Sequence, residues 1–468
     1  MVNDPNRIFD VEIIGHEIVD KHVEYHIQCT QSARNWTIKR RYRDFIQLKD
    51  ELVPLGVELE LPPKKFFGNT KEEFVSERQV KLQEFLRRVA CHPFLFCSPT
   101  AAQFFELSEE CLKNYENYIL FAARNNPSYR LKRLWHACGW RYYKMHAELT
   151  DSEPHNDNDY VLTWMSYGPD SDGTDPRKRA NLTCDALKFL KELPSNYFAK
   201  NLLASADERG VHTISNKLKK GNMRDFNFMV QPKDSFLKKY RLGTLNSVFN
   251  DNYMVKEIVH FTRQLIEIIK LFDSMDYPFY NFHCGNIVLA ENGLISLMDY
   301  EFALTGHSNS DREALKRSKA RTVQEMRIFH LGATIYEFLT GSITVPYPED
   351  MDELYEHLPR EFRQILALIF GPGTEMPTTD QLLSLPLFRD ATQVELLEGK
   401  SFQIPIHVQN LFKDMSRRIE RRLEQEREEL RIAKETAKVQ RHLSSDAEKQ
   451  RRRHIIQEHL KRMQPKTE

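Results

Sequence analysis

Apolar and polar positions alternate through the first forty residues. That period of two predicts three β-strands, at Ile8–Val19, Val23–Thr30 and Asn35–Tyr42. The spacing then becomes helical over 43–53, 71–90 and 99–107. Asn69 and Thr70 offer capping side chains to the second of these helices, and Glu72 and Glu73 are its first-turn acids. Three strands followed by helices make an α+β unit. Residues 108–135 are polar and aromatic and read as a helical connector. Strand character returns at Arg141–Leu149 and Tyr160–Tyr167, on either side of a loop rich in Asp, Asn and Pro. A helix is predicted at Thr183–Leu193, and long amphipathic helices at Met254–Met275 and Thr322–Leu339. The order implies a small sheet lobe followed by a larger helical lobe. The last stretch, 412–468, has 17 Lys and Arg against 11 Asp and Glu, with Ile419, Leu423, Leu430, Leu443 and Leu460 sparsely placed. Its apolar spacing is too irregular for a coiled coil, so it reads as a solvated, charged helix.

Composition narrows the function classes. At 468 residues the chain has room for two to three domains. The 67 Lys and Arg equal the 67 Asp and Glu, so no whole-chain charge points to nucleic acid, and any basic site must be local. No apolar run approaches the roughly 18 residues that a membrane span needs. Met1–Asp10 has no apolar signal-peptide core, so membrane contact is expected to be peripheral and the compartment cytoplasmic. Seven scattered cysteines, without zinc-site spacing, fit reduced thiols.

The first local cluster is Arg40-Arg41-Tyr42-Arg43-Asp44-Phe45, placed where the third strand ends and the next helix begins. Guanidinium forks match phosphate oxygens, and an aromatic ring beside them packs under a sugar-like ring. Leu59-Glu60-Leu61-Pro62-Pro63-Lys64-Lys65-Phe66-Phe67-Gly68 then supplies a proline-stiffened loop with two lysines and two phenylalanines, and Glu77-Arg78-Gln79 follows on the long helix. Over roughly 5–107 this order resembles the PX domain, the phosphoinositide-binding module of sorting nexins. The resemblance implies that Arg41 holds the 3-phosphate with help from Arg43, that Tyr42 lies under the inositol ring, that Lys64 reaches the 1-phosphate and that Arg78 meets the opposite hydroxyls. It also implies that Phe66 and Phe67 enter the bilayer.

The second cluster is Phe279-Tyr280-Asn281-Phe282-His283-Cys284-Gly285-Asn286, followed by Ser296-Leu297-Met298-Asp299-Tyr300-Glu301. With Phe329–Gly341 and Met376–Phe388, it resembles the catalytic loop, metal-binding motif, central helix and last large-lobe segment of protein kinases over about 250 residues. The departures are specific. Asn281 stands where that family has the catalytic aspartate, and an amide does not accept a hydroxyl proton as a carboxylate does. No Gly-x-Gly-x-x-Gly lies near Trp140–Leu149, the Tyr160–Trp164 strand has no lysine, and Trp164 stands about where one is expected. Glu301 replaces the glycine of Asp-Phe-Gly and is expected to bring a carboxylate near the phosphates. Arg327 falls where the central helix carries an aspartate that braces the catalytic loop. Only Asn286 and Asp299, vestigial metal-ligand positions, are retained.

These observations give a multidomain α+β chain: a PX domain (1–107), a helical connector (108–135), a protein-kinase-like bilobal domain (136–392) and a charged helical tail (393–468). The chain is similar to a family that joins a PX module to a degenerate kinase domain. That resemblance implies binding to phosphatidylinositol 3-phosphate membranes, a peripheral place on endosomal or plasma membrane, and trafficking of receptors or ion pumps. The actin-binding segment of some members is not carried over. No cofactor is required, and weak ATP/Mg2+ binding is allowed. The expected function is that of an adaptor with a pseudokinase scaffold. The alternative is a weakly active serine/threonine kinase that uses Asp299, Asn286 and a lysine recruited from elsewhere, Lys144, Lys188 or Lys191.

Overall fold

The computed structural model describes residues 10–444 except 21, 32–33, 54–58, 64–71, 92–94, 96–97, 108, 136–143, 154–157, 169, 172–174, 194–196, 219, 231–254, 291–292, 307–317, 319, 342–357, 372–374, 390 and 392–401. The N-terminal unit opens with three antiparallel strands in sequence order, β1 (Asp10–Val19), β2 (His22–Gln31) and β3 (Arg34–Arg41). A bulge between Ile13 and Gly15 resets the register of β1 and leaves Ile14 exposed. Three helices follow: α1 (Tyr42–Leu52), α2 (Glu72–Cys91) and α3 (Pro99–Phe105). Val23, Tyr25, Ile27 and Cys29 project from one face of β2 into the core, as the alternation requires. Phe45 is the hub of that core. Its ring meets Tyr25, Phe85 and Phe104 at centroid distances of 6.0, 6.2 and 5.3 Å. Ser98 caps α3 by accepting the Ala101 N–H, with Pro99 in the first turn.

The expected helical connector is only partly helical. Helix α4 (Glu109–Arg124) is followed by a strand, β4 (Tyr129–Trp135). A register break between Leu131 and Arg133 hides the period of two in the sequence. Strand β4 is the edge of a five-stranded antiparallel sheet with β5 (Met145–Asp151), β6 (Asp159–Ser166), β7 (Leu203–Ala206) and β8 (Gly210–Asn216), in the order β4-β5-β6-β8-β7. The β7–β8 hairpin has no counterpart in the sequence prediction. Its turn is held by Asp207, whose Oδ1 accepts the N–H groups of Arg209 and Gly210 at 2.8 and 3.0 Å. Helix α5 (Pro176–Lys191) starts well before the predicted Thr183, at a proline capped by Asp175. Its first turns are polar and exposed, so apolar spacing alone misses them.

Helix α4 joins the two parts. Ile119, Ala122 and Ala123 belong to one buried cluster that contains Phe85 and Phe105 on one side and Ala147, Leu162, Trp164 and Ile214 on the other.

The helical lobe holds α6 (Met223–Asn227), α7 (Val255–Ser274), the hairpin β9 (Ile287–Leu289) and β10 (Ile295–Leu297), then α8 (Val323–Thr340), α9 (Arg360–Phe370), α10 (Thr379–Leu383) and α11 (Ile406–Ser444). Helix α8 is buried along nearly its whole length. Gly332 is needed there, because a Cβ would lie 2.8 Å from Ile369 and Phe370.

Helix α11 corrects the expectation of a solvated tail. Val408, Leu411, Phe412, Met415, Ile419 and Leu423 are buried at helical spacing in the core of the helical lobe. The ring of Phe412 meets Tyr277 at 4.9 Å and Phe189 of α5 at 6.3 Å. Polar contacts follow the same seam: Arg422 donates to Asp170 at 2.6 Å and to the Tyr280 hydroxyl at 3.1 Å, and Glu420 accepts the Val323 N–H at 3.2 Å. Among the described residues, no helix is long and apolar enough to cross a membrane.

Candidate functional site

The first candidate site lies where β3 passes into α1. Arg40 and Arg41 are neighbours on a strand and so point to opposite faces. Arg40 turns to α3, where Nε donates to the Phe104 carbonyl at 2.8 Å and Nη2 to Glu106 at 2.8 Å. It is a structural tie. Arg41 is half exposed at the strand end, and its Nε donates to Glu24 Oε1 at 3.2 Å. Its own backbone N–H is taken by Asp44 Oδ2 at 2.8 Å, which fixes the start of α1. Arg43 is exposed in the first turn of that helix. Tyr42 is half-buried and its hydroxyl donates to the Pro62 carbonyl, which ties the ring to the proline loop.

Arg78 of α2 is only 4% exposed. Its guanidinium lies 4.2 Å from the Tyr42 ring centre and 4.3 Å from that of Phe74, a cation between two aromatic faces. The structure therefore brings Arg41, Tyr42, Arg43 and Arg78 to one corner and makes Arg78 the support behind Tyr42. Lys64, Phe66 and Phe67 lie outside the described residues.

The second candidate site is the cleft between the sheet and the helical lobe. Asn281 is buried, and its backbone carbonyl accepts the Nδ2 of Asn286 at 2.7 Å. Asn286 Oδ1 accepts the His283 N–H at 3.1 Å, and the Met298 N–H donates to the Asn286 carbonyl at 2.8 Å. The two predicted positions, 286 and 299, thus stand side by side. Asp299 follows β10 with φ +62°, a left-handed conformation that a non-glycine residue adopts at some cost in strain.

Strand β6 carries no lysine. The structure supplies one from elsewhere: Lys144, just before β5, sets Nζ 2.5 Å from Asp299 Oδ2 with its side chain almost fully buried. Trp164 does not face this cleft. It pairs across strands with Met145, and its ring lies 5.3 Å from that of Tyr118 on α4, against the opposite face of the sheet. The neighbouring positions face the cleft side: Thr163 bonds His146 of β5 at 2.8 Å, and Met165 accepts from Thr305 at 3.4 Å.

Two further expectations are corrected. Glu301 does not project a charge toward the cleft. It is buried, Asn201 donates to its Oε1, and burial pushes its carboxyl up to about 8, so it is neutral at pH 7. Arg327 does brace the loop before Asn281, with reversed polarity. Its guanidinium donates to the carbonyls of Tyr277 and Phe279, the latter at 2.8 Å, and pairs with Asp273.

The other side of the loop hangs on Glu337. That carboxylate takes Arg224 Nε and Nη2 at 2.5 and 2.9 Å and the Cys284 N–H at 3.2 Å, all buried. Glu337→Ala takes this carboxylate away from the buried Arg224 and is expected to cost about 3–5 kcal/mol. In a unit of this size that lowers the melting temperature by roughly 6–20 °C. The double variant Arg224→Met, Glu337→Leu is expected to recover part of the loss. A Glu337→Ala protein that melts with the wild type removes the anchoring role.

The family model of the PX domain matches residues 28–108. The N-terminal unit is a PX domain. The PX domain-containing protein kinase-like proteins of Rattus norvegicus and Mus musculus are each 27% identical to this chain over 438 residues, covering 91% of it and 72% of the relative. Sorting nexin-16 of Mus musculus is 36% identical over 98 residues, 19% of this chain and 28% of that protein. The first likeness covers 91% of the chain and so runs far past the residues that the PX model matches. A phosphoinositide-binding module thus heads a multidomain, kinase-like chain.

Proposed function

We propose that this protein is a peripheral membrane adaptor of the cytoplasmic face. Its PX domain binds phosphatidylinositol 3-phosphate through Arg41, Tyr42, Arg43 and Lys64, with Arg78 holding the Tyr42 ring from behind and Phe66 and Phe67 entering the bilayer. Its kinase-like part serves as a protein-binding scaffold in endosomal or plasma-membrane trafficking of receptors or ion pumps. The boundary expected at 107 is kept as part of this proposal, while β4 and helix α11 are assigned to the kinase-like part because they complete its sheet and its core. The observation that carries the reading is the corner itself. Arg41 stands half exposed at the end of β3 with Nη1 and Nη2 unclaimed by Glu24, beside a tyrosine ring stacked on a buried arginine. That geometry suits one phosphate held by a guanidinium fork next to a ring.

Arg41→Ala is expected to weaken binding to vesicles containing phosphatidylinositol 3-phosphate by about tenfold to a hundredfold, since a charge-assisted contact contributes roughly 1.5–3 kcal/mol. Co-sedimentation of the full chain measures it. A folded Arg41→Ala protein that binds at wild-type affinity overturns the assignment.

A second reading has one observation in its favour, the Lys144–Asp299 pair. A buried lysine on the carboxylate at the metal-ligand position is the charge arrangement a Mg2+-nucleotide uses: the carboxylate and the Asn286 amide oxygen are hard donors for Mg2+, and the ammonium suits phosphate. Weak nucleotide binding, and a weakly active serine/threonine kinase at its limit, is the alternative.

A further inference from the structure

The exposed face of the PX sheet carries an anionic row that ends at Arg41. Glu17 on β1 lies directly opposite Glu24 on β2, and Glu24 lies directly opposite Arg41 on β3. Like charges facing each other across strands are unfavourable, and each carboxylate is met by side-chain nitrogens from its neighbours. Glu24 takes His22 Nε2 and Arg41 Nε, both at 3.2 Å. Glu17 takes Lys39 and, at 3.3 Å, His26 Nε2. A third carboxylate, Asp44, holds the Arg41 backbone N–H at 2.8 Å. Hydrogen bonds from His22 and then Arg41 hold the Glu24 carboxyl below its usual range, so it is ionised at neutral pH.

We propose that Glu24, reinforced by Glu17, is the charge-selectivity determinant of the Arg41 site: it accommodates a headgroup with one phosphomonoester and disfavours headgroups with two or three. The inference rests on the phosphoinositide reading of that site. Two properties of the geometry support it. Contact through Nε alone orients the guanidinium while leaving its two Nη groups for a phosphate. The negative charge held against Arg41 repels every further phosphate charge, and that repulsion grows with the charge of the ligand.

The test uses the full chain and Glu24→Gln. Glutamine keeps an oxygen for Arg41 Nε and removes the charge. Vesicles carry phosphatidylinositol 3-phosphate, a bisphosphate or a trisphosphate, matched in total charge with phosphatidylserine. For charges about 7 Å apart in water, each added ligand charge changes affinity by about threefold. Glu24→Gln is therefore expected to strengthen bisphosphate and trisphosphate binding by about three- to tenfold or more, and monophosphate binding by less. The gain is expected to shrink at high salt. Glu17→Gln moves selectivity the same way by a smaller factor. An equal change for all three lipids, or none for the higher phosphates, overturns the inference while leaving the site in place. A wild-type protein that binds none of the vesicles overturns the site assignment itself, and the inference with it.

Discussion

A chain ending at residue 405 is expected to lose the folded kinase-like part and keep the PX fold. Helix α11 places Val408, Leu411, Phe412, Met415, Ile419 and Leu423 in the same core as α7 and α8. Each such side chain contributes about 1.5–3 kcal/mol when fully buried. Six of them sum to roughly 10 kcal/mol even after the compactness of the unfolded chain is discounted. That is of the order of a whole domain's stability, about 5–15 kcal/mol. The polar seam makes the loss worse, since removal of Arg422 leaves Asp170, 7% exposed in its side chain, without that partner. Circular dichroism melting and limited proteolysis of the 1–405 chain measure the effect. Phe412→Ala is the milder variant, expected to cost about 3–5 kcal/mol. A truncated chain whose kinase-like transition matches the full-length one would show that α11 is a passenger.

That helix also shows why part of the molecule was hidden in the sequence. Its buried stripe runs from Val408 to Leu423, then the same helix continues charged to Ser444. Averaged over 412–468, the four buried positions Phe412, Met415, Ile419 and Leu423 disappear among arginines and glutamates, and Val408 and Leu411 fall before that stretch. Local pattern was sufficient where one face of an element meets one core: β1 to β3 and the helices α2, α7 and α8 start and end within a few residues of their predicted bounds. It failed where a bulge breaks the alternation, as in β4, and where a strand is four residues long, as in β7. The PX corner was legible because its residues are close in the chain. Which of Arg40 and Arg41 faces the site follows from strand parity, and only the packing of α3 reveals that Arg40 is spoken for.

The cleft was legible in its loop and illegible in its charges. Asn281, Asn286 and Asp299 fall within nineteen residues, and the β9–β10 hairpin brings them together. Lys144 is more than 150 positions away from Asp299, and nothing local announces the pairing. Glu301 looked anionic because sequence carries no burial. Its neutral state at pH 7 comes from desolvation in a site that only the folded lobe creates.

The cleft is expected to show no phosphoryl transfer on generic peptide or protein substrates. Two of four apparent defects are gone: Lys144 supplies an ammonium at Asp299, and Glu301 is neutral. Two remain. Asn281 has no carboxylate with which to take the substrate proton, a loss of about a hundredfold to ten-thousandfold. The sequence has no glycine loop to press on the phosphates, and phosphoryl transfer depends mostly on positioning and electrostatics. The two losses multiply because they act on different parts of the barrier. A radiolabelled transfer assay with Asp299→Ala and Lys144→Ala controls decides the matter. The wild type is expected to match both controls in transfer, while a thermal shift with ATP and Mg2+ distinguishes a cleft that binds nucleotide from one that does not. Asn281→Asp restores the base alone and is expected to remain inactive, because the loop term is still missing. Transfer by the wild type that vanishes in both Asp299→Ala and Lys144→Ala would overturn the scaffold reading and make this protein a kinase whose lysine comes from the start of β5.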